Sequence, residues 1–416
     1  MRPVLELRSG IVLLCALVLA AAPRPADGAA PLIYSGQWGS FGAANSQFNT
    51  PYGVDVSAAM HVYVSDYINN NIQEFTLAGD FVRKFGSGGT GAGQLNAPYG
   101  IVSDRGYVYV VENQNHRVSK FSITGTFVTS WGGILPGNTD GMFRDPTAVV
   151  ADTAGNIYVA DTDNDRVQKF TPAGTFLTKW GSFGDGNGQF QAPSGLIADH
   201  QGFVYVVDTG NNRVEKFDAA GNFVLAWGSF GSGPGQFSQP NGGAEDPWGN
   251  IYVVDTGNDR VEKFTSAGVY LGEFGSAGSL NGQLLGPFSA AGTQSGDVYV
   301  ADSYNSRIQW FTLNAAAGVG GAPGQPGLAI APSANPVRGP VTLRFSLPGE
   351  ESPRISVHDA TGRLVWGARP GRLAAGAHEV HWDLRAATGE RVAPGVYFAR
   401  LESASGTRVS KIAVLN

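Results

Sequence analysis

The sequence predicts an all-β chain, a six-bladed β-propeller followed by a small Ig-like β-sandwich. Three observations lead there. Tyr63, Tyr109, Tyr158, Tyr205, Tyr252 and Tyr299 each open the same motif, at spacings of 46, 49, 47, 47 and 47 residues, and a fixed period of this size marks a propeller or solenoid. Glycine (59) and proline (23) are too frequent among 416 residues for long helices, since each helical Gly costs about 1 kcal/mol relative to Ala. Hydrophobic residues make up 42% and aromatics 11%, which excludes wholesale disorder and favours strands.

In chain order, residues 1–30 read as an export signal. Arg2 and Arg8 precede an apolar run from Gly10 to Ala22, and the small residues Ala26, Gly28, Ala29 and Ala30 follow. The run falls short of the roughly 20 residues that span a bilayer. Cys15, the only cysteine, lies inside it, so no intrachain disulfide can form. After signal removal no transmembrane span is expected. Residues 31–314 carry 14 Lys and Arg against 25 Asp and Glu, a balance of −11. Such a body repels phosphate backbones, which argues against a nucleic-acid partner.

Residues 31–314 form the propeller. Three residues after each repeat tyrosine stands an acid (Asp66, Glu112, Asp161, Asp208, Asp255, Asp302). Asn69, Asn115, Asn164, Asn211, Asn258 or Asn305 follows, and two residues further on comes Arg117, Arg166, Arg213, Arg260 or Arg307, with Asn71 in the first unit. In the third unit, 157–161 and 166–170 alternate as strands around a four-residue turn, so Asp161 and Arg166 should face each other and fix the register. Each unit reads as four antiparallel strands, one blade. The first aromatic-Gly pair, at Trp38, precedes any inner strand, and the last unit lacks one. The strand around Trp38 should therefore supply the outer edge of the final blade and close the ring without covalent staples.

The unit Pro-x-Gly-Val/Ile…Gly-Asn-Ile-Tyr-Val-Ala-Asp-x-x-Asn-x-Arg-Val-x-Lys-Phe, with Gly-Gln-Phe before the proline, resembles the NHL repeat. The resemblance covers the whole region, with Ala148 and Ser289 in place of a Gly and Asn71 in place of an Arg. It implies a six-bladed propeller and leaves activity open, because this fold carries many functions.

Residues 315–327 are an Ala/Gly/Pro linker, and residues 328–416 lose the period. Strand candidates at 342–347, 354–358, 378–382 and 396–401, among six or seven short strands in all, suggest an Ig-like sandwich. Asn335-Pro336-Val337, His358 to Arg363, His381-Trp382-Asp383 and Pro394 to Tyr397 resemble the Ig-like domain of the flagellar hook-capping protein. That resemblance implies a sorting or surface-retention role.

Candidate sites sort as follows. Six equal acid–Asn–Arg sets serve a structural need better than one chemical step. Asp161 to Asp165 imitates the start of a calcium loop, but Arg166 and Pro172 stand where Gly and an acid are required. Gly86 to Gly91 matches Gly-x-Gly-x-x-Gly without a following helix and reads as a flexible connection. His61, His116 and His200 fall in separate, solvated turns, and no Gly-x-Ser-x-Gly elbow is present. No cofactor or metal is required. The most variable slot follows the repeat's proline: Tyr52, Tyr99, Thr147, Ser194, Asn241 and Phe288. These should ring one mouth of the central channel, either as a binding surface or as a plug. The turn residues Tyr67, Gln114, Asp163, Asn212, Asp259 and Tyr304 should share that face. The sequence thus reads as a secreted or cell-surface binding protein whose propeller face takes an extracellular protein or glycan. The alternative is a secreted propeller enzyme, a metal-dependent lyase or lactonase. A role like that of RNA-binding or ubiquitin-ligase NHL proteins is opposed by the charge and by the single cysteine.

Overall fold

A computed structural model describes residues 32–313, 329–332, 337–359, 363–386 and 388–415. The export signal, the linker, and the motif segments Asn335-Pro336 and Ala360 to Gly362 lie outside the described residues. The described residues are all-β, apart from single 3-10 turns in blades 3 to 6.

The first 282 described residues build six four-stranded antiparallel sheets. Blade 3 illustrates them, with strands Ala148–Ala151, Ile157–Asp161, Arg166–Phe170 and Phe176–Trp180 in that order. Its second strand is buried along its whole length, because both sheet faces pack against neighbouring blades. The inner strands lie side by side right round the ring, the last (Pro287–Gly292) against the first (Pro51–Val56). Close approach there needs glycine: a Cβ on Gly195 would come within 2.2 Å of the Asn241 carbonyl. Between blades, the outer-strand aromatic of one presses on a turn of the next. Gly174, at φ +86°, lies against the Trp131 indole, where a Cβ would meet the ring at 2.7 Å.

Leu32–Trp38 pairs antiparallel with Arg307–Leu313, from Leu32 opposite Leu313 to Trp38 opposite Ile308. The leading segment completes blade 6, as the position of Trp38 requires, and gives every blade four strands.

The acid–Asn–Arg set is framework, and it does more than hold the hairpin. Asp161 and Arg166 are register partners, with Nε donating to Oδ2 at 2.6 Å. The rest of the guanidinium donates to the carbonyls of Asn138, Thr139 and Met142 in the preceding Gly-rich loop. Arg117 binds Thr90, Gly91 and Gln94 carbonyls in the same way. The Gly86 to Gly91 connection is therefore tied down rather than flexible, and Gly88 also bridges Leu95. Glu112 keeps its arginine at 2.7 Å. The pairing is lost only in blade 1, where Asn71 turns its amide to the Asn69 carbonyl and leaves Oδ1 buried without a partner.

The C-terminal region is a sandwich of two sheets. One holds Ala329–Pro332, Val341–Leu347 and Gly376–Trp382; the other holds Leu364–Ala368, Arg354–Asp359, Gly395–Ser403 and Gly406–Val414. Val341, Leu343, Phe345 and Leu347 alternate inward. Buried Trp382 packs edge-on to Tyr397 at 5.6 Å. Among the described residues no helix is long and apolar enough to cross a membrane.

Candidate binding face

In five blades the inner strand begins where its proline pairs with the repeat acid, as Pro193 does with Asp208, and in blade 3 it begins at Ala148, two residues after the proline. The residue after the proline therefore lies beside the turn between strands two and three. All six such residues (Tyr52, Tyr99, Thr147, Ser194, Asn241 and Phe288) line the channel, which encloses about 250 Å³. They divide it into two sectors. On one side the Tyr52 ring lies 4.1 Å from Phe288, 4.5 Å from Tyr99 and 4.7 Å from Tyr67. Burial pushes the Tyr52 phenol up to about 12 and Tyr99 higher still, so both stay neutral across ordinary pH. On the other side Thr147 bonds Thr162 at 2.7 Å, Ser194 bonds Thr209, and Asn241 donates to Thr256 at 3.1 Å.

The hydroxyl partners come from the residue directly after the repeat acid, a position at which the sequence pointed only to Tyr67. Thr162, Thr209, Thr256 and Ser303 donate to the proline carbonyl of the following blade at 2.6 to 3.0 Å. Asn113 reaches Pro146 at 3.3 Å. Blade 1 alone puts an aromatic there, Tyr67, which stacks instead of clasping. The recurring acid–Thr pair in consecutive units was the available signal.

The turn residues expected on this face separate into two kinds. Gln114, Asp163 and Tyr304 are exposed, and Tyr67 is half-buried under the aromatic cluster. Asn212 and Asp259 are framework: at φ +53° and +54° their side chains accept the amides of Gln239 and Gly286 at 2.8 and 2.7 Å. In the calcium-like segment, Asp161 and Asp165 are likewise used, by Arg166 and by the Ala192 amide.

The loops leading into the inner strands open on the same face. The Tyr67 and Ile68 amides donate to the Thr50 and Asn49 carbonyls of such a loop. At their tips stand Phe41, Phe183 and Phe230, 72%, 69% and 74% exposed, with Ile134, Leu135 and Leu280 in the corresponding loops. These six are large apolar side chains left exposed on one face. The signal was present as Gly-Ser-Phe-Gly at 39–42, 181–184 and 228–231.

At the far end of the channel, Asp55 accepts the Ser103 amide at 2.8 Å, and burial raises its carboxyl to about 6. Glu245 pairs with His200 at 2.7 Å. The histidines are not all solvated turn residues: His116 is largely buried and accepts the Asp145 amide, and His61 contacts buried Glu74. Among the described residues no three His, Cys, Asp or Glu side chains gather closely enough to hold a metal ion.

Fold and face together define a six-bladed β-propeller built from one repeated hairpin framework. The NHL repeat model matches residues 143–170 and 290–311, in blades 3 and 6. Among solved structures, the chain is similar to a structural-genomics protein of unknown function from Bacteroides thetaiotaomicron (18% identity, 67% of this chain and 76% of that one, TM-score 0.52). It is also similar to an auxiliary nutrient binding protein from the same organism (12% identity, 64% and 69%, TM-score 0.50) and to a streptogramin B lyase (15% identity, 69% and 99%, TM-score 0.49). At these identities the likeness is one of fold. No curated protein matches.

Proposed function

We propose that this chain is an exported binding protein whose propeller docks an extracellular protein on the face at the channel mouth. The C-terminal sandwich holds it at the cell surface. The supporting observation is that Phe41, Phe183, Phe230 and Tyr304, all strongly exposed, stand on that face in or at the loops of blades 1, 4, 5 and 6. Loops tied to a rigid frame by arginine lose little entropy on binding. The apolar tips supply desolvated anchors, and the hydroxyl sector supplies polar registration. The reading assigns no catalytic step.

The test compares the intact protein with a Phe41→Ser/Phe183→Ser/Phe230→Ser variant in capture from a surface fraction. Expected is loss of the captured protein with an unchanged melting temperature; equal capture contradicts the reading. Removal of residues 328–416 should shift the protein from the surface to the medium, and unchanged retention would refute the role given to the sandwich.

A further inference from the structure

The residue just before each repeat phenylalanine is Lys120, Lys169, Lys216 or Lys263 in blades 2 to 5, Trp310 in blade 6 and Glu74 in blade 1. The lysines share one arrangement. Their ammonium groups stand 4.9 to 5.1 Å from the rings of Tyr109, Tyr158, Tyr205 and Tyr252. Lys120, Lys169 and Lys216 also donate to a carbonyl in the next blade (Pro172, Ala219, Ser266) at 2.9 to 3.2 Å. In blade 6 the Trp310 indole fills the same place, stacked on Tyr299 at 23°.

Blade 1 keeps the walls of this arrangement without the cation. Tyr63 is buried, and its hydroxyl reaches the Ile123 carbonyl at 3.4 Å, just as Tyr109 reaches Pro172 at 3.4 Å. Glu74 is shorter than lysine and opposite in charge. A cavity of about 320 Å³ is left between blades 1 and 2, walled by Ser57, His61, Tyr63, Glu74, Ile123 and Thr124 among others. The Glu74 side chain is 2% exposed. A carboxylate so buried needs a cation beside it. In the free protein that cation comes from the rim: Arg83 Nε lies 2.6 Å from Oε2. Arg83 stands opposite Glu74 on the outer strand, where the lysines of blades 2 and 3 face Thr129 and Thr178.

We propose that this pocket is a binding site for a primary alkylammonium group. The cation would lie over the Tyr63 ring, paired with Glu74 and donating to the Ile123 carbonyl, while its alkyl chain fills the cavity. A ligand of this kind restores what a tethered lysine supplies in four sibling blades, and a cation over a desolvated ring is favourable in itself. Arg83 is the internal competitor that such a ligand displaces. The group can be a free aliphatic amine or the side chain of a partner's lysine.

Calorimetric titration of the full chain with 1,5-diaminopentane, with Nα-acetyl-lysine methylamide and with uncharged 1-pentanol tests this. One or both amines should bind saturably at one site, and pentanol should not. Binding of the diamine alone identifies a free amine, and binding of the lysine derivative identifies a side chain. Glu74→Gln should weaken binding at least about tenfold, and Arg83→Thr should tighten it several-fold. Glu74→Lys should abolish binding and raise the melting temperature, because it tethers the missing ammonium in a place four blades already accept. No saturable binding of either amine, or binding unchanged in Glu74→Lys, overturns the proposal.

Discussion

Blade 3 surrounds its buried acid completely: Arg166 at 2.6 Å, Asn164 at 2.9 Å and Gln168 at 3.0 Å all donate to Asp161. Blade 1 keeps Asn69 at 2.7 Å from Asp66 but puts Asn71 where the arginine belongs. The consequence is electrostatic. Burial raises both carboxyls, and with no guanidinium beside it Asp66 reaches about 6. The same blade exchanges a lysine for Glu74 and a clasping hydroxyl for Tyr67. One backbone template thus accommodates three local losses within a single blade. Glu74 faces the cavity between blades 1 and 2, and Tyr67 packs at the channel mouth.

The sharpest way to break the comparison is to make blade 3 resemble blade 1. Arg166→Ala strands a buried carboxylate and frees three loop carbonyls, and should cost about 3–5 kcal/mol in urea unfolding. A cost below about 1 kcal/mol would mean that the arginine merely decorates the hairpin.

Blades 4 and 5 offer the next test. Burial raises Glu215 to about 7 and Glu262 to about 8, where blades 3 and 6 carry Gln168 and Gln309. Folded values above the ordinary 4.5 mean that folding favours the protonated acids. Their contribution is complete below about pH 4.5 and is lost as pH rises through 7 to 8. Glu215→Gln/Glu262→Gln should therefore be near neutral at pH 5 and stabilising by about 1–3 kcal/mol at pH 9. A pH-independent difference would contradict the assignment.

Smaller effects separate the two kinds of residue on the mouth face. Tyr99→Ala removes a half-buried ring packed against Tyr52 and Tyr67 and should lower stability by about 1–2 kcal/mol, less than the loss of a fully buried aromatic would. Phe230→Ser touches a side chain already in solvent and should change stability by less than about 0.5 kcal/mol. Thermal melts of the two single variants distinguish packing from display.

What the sequence revealed was local or periodic. The tyrosine strand, the Asp161–Arg166 hairpin and closure through Trp38 follow from alternation, turn chemistry and a repeat out of phase with its ends. What it hid depends on ring geometry. Arg166 reaches carbonyls 24 to 28 residues upstream, and Lys169 reaches one 50 residues downstream; no local pattern encodes either contact. Asn212 and Asp259 looked available because a left-handed turn residue with a polar side chain reads as surface, whereas the next blade consumes it. In the sandwich, Leu364–Ala368 and Gly406–Val414 escaped notice as strands because Gly, Arg and Ser interrupt their apolar alternation.

Blade 1 is the one unit whose repeat acid has no guanidinium beside it, and Asn71→Arg tests this most directly. Urea unfolding at pH 8 and at pH 4 should show a gain of about 1–3 kcal/mol at pH 8. The new guanidinium would meet a charged Asp66 and the Ala43, Ala44 and Gln47 carbonyls. At pH 4, where Asp66 is protonated in the folded parent, the gain should shrink. A variant less stable than the parent at pH 8, or equally improved at both pH values, would contradict it.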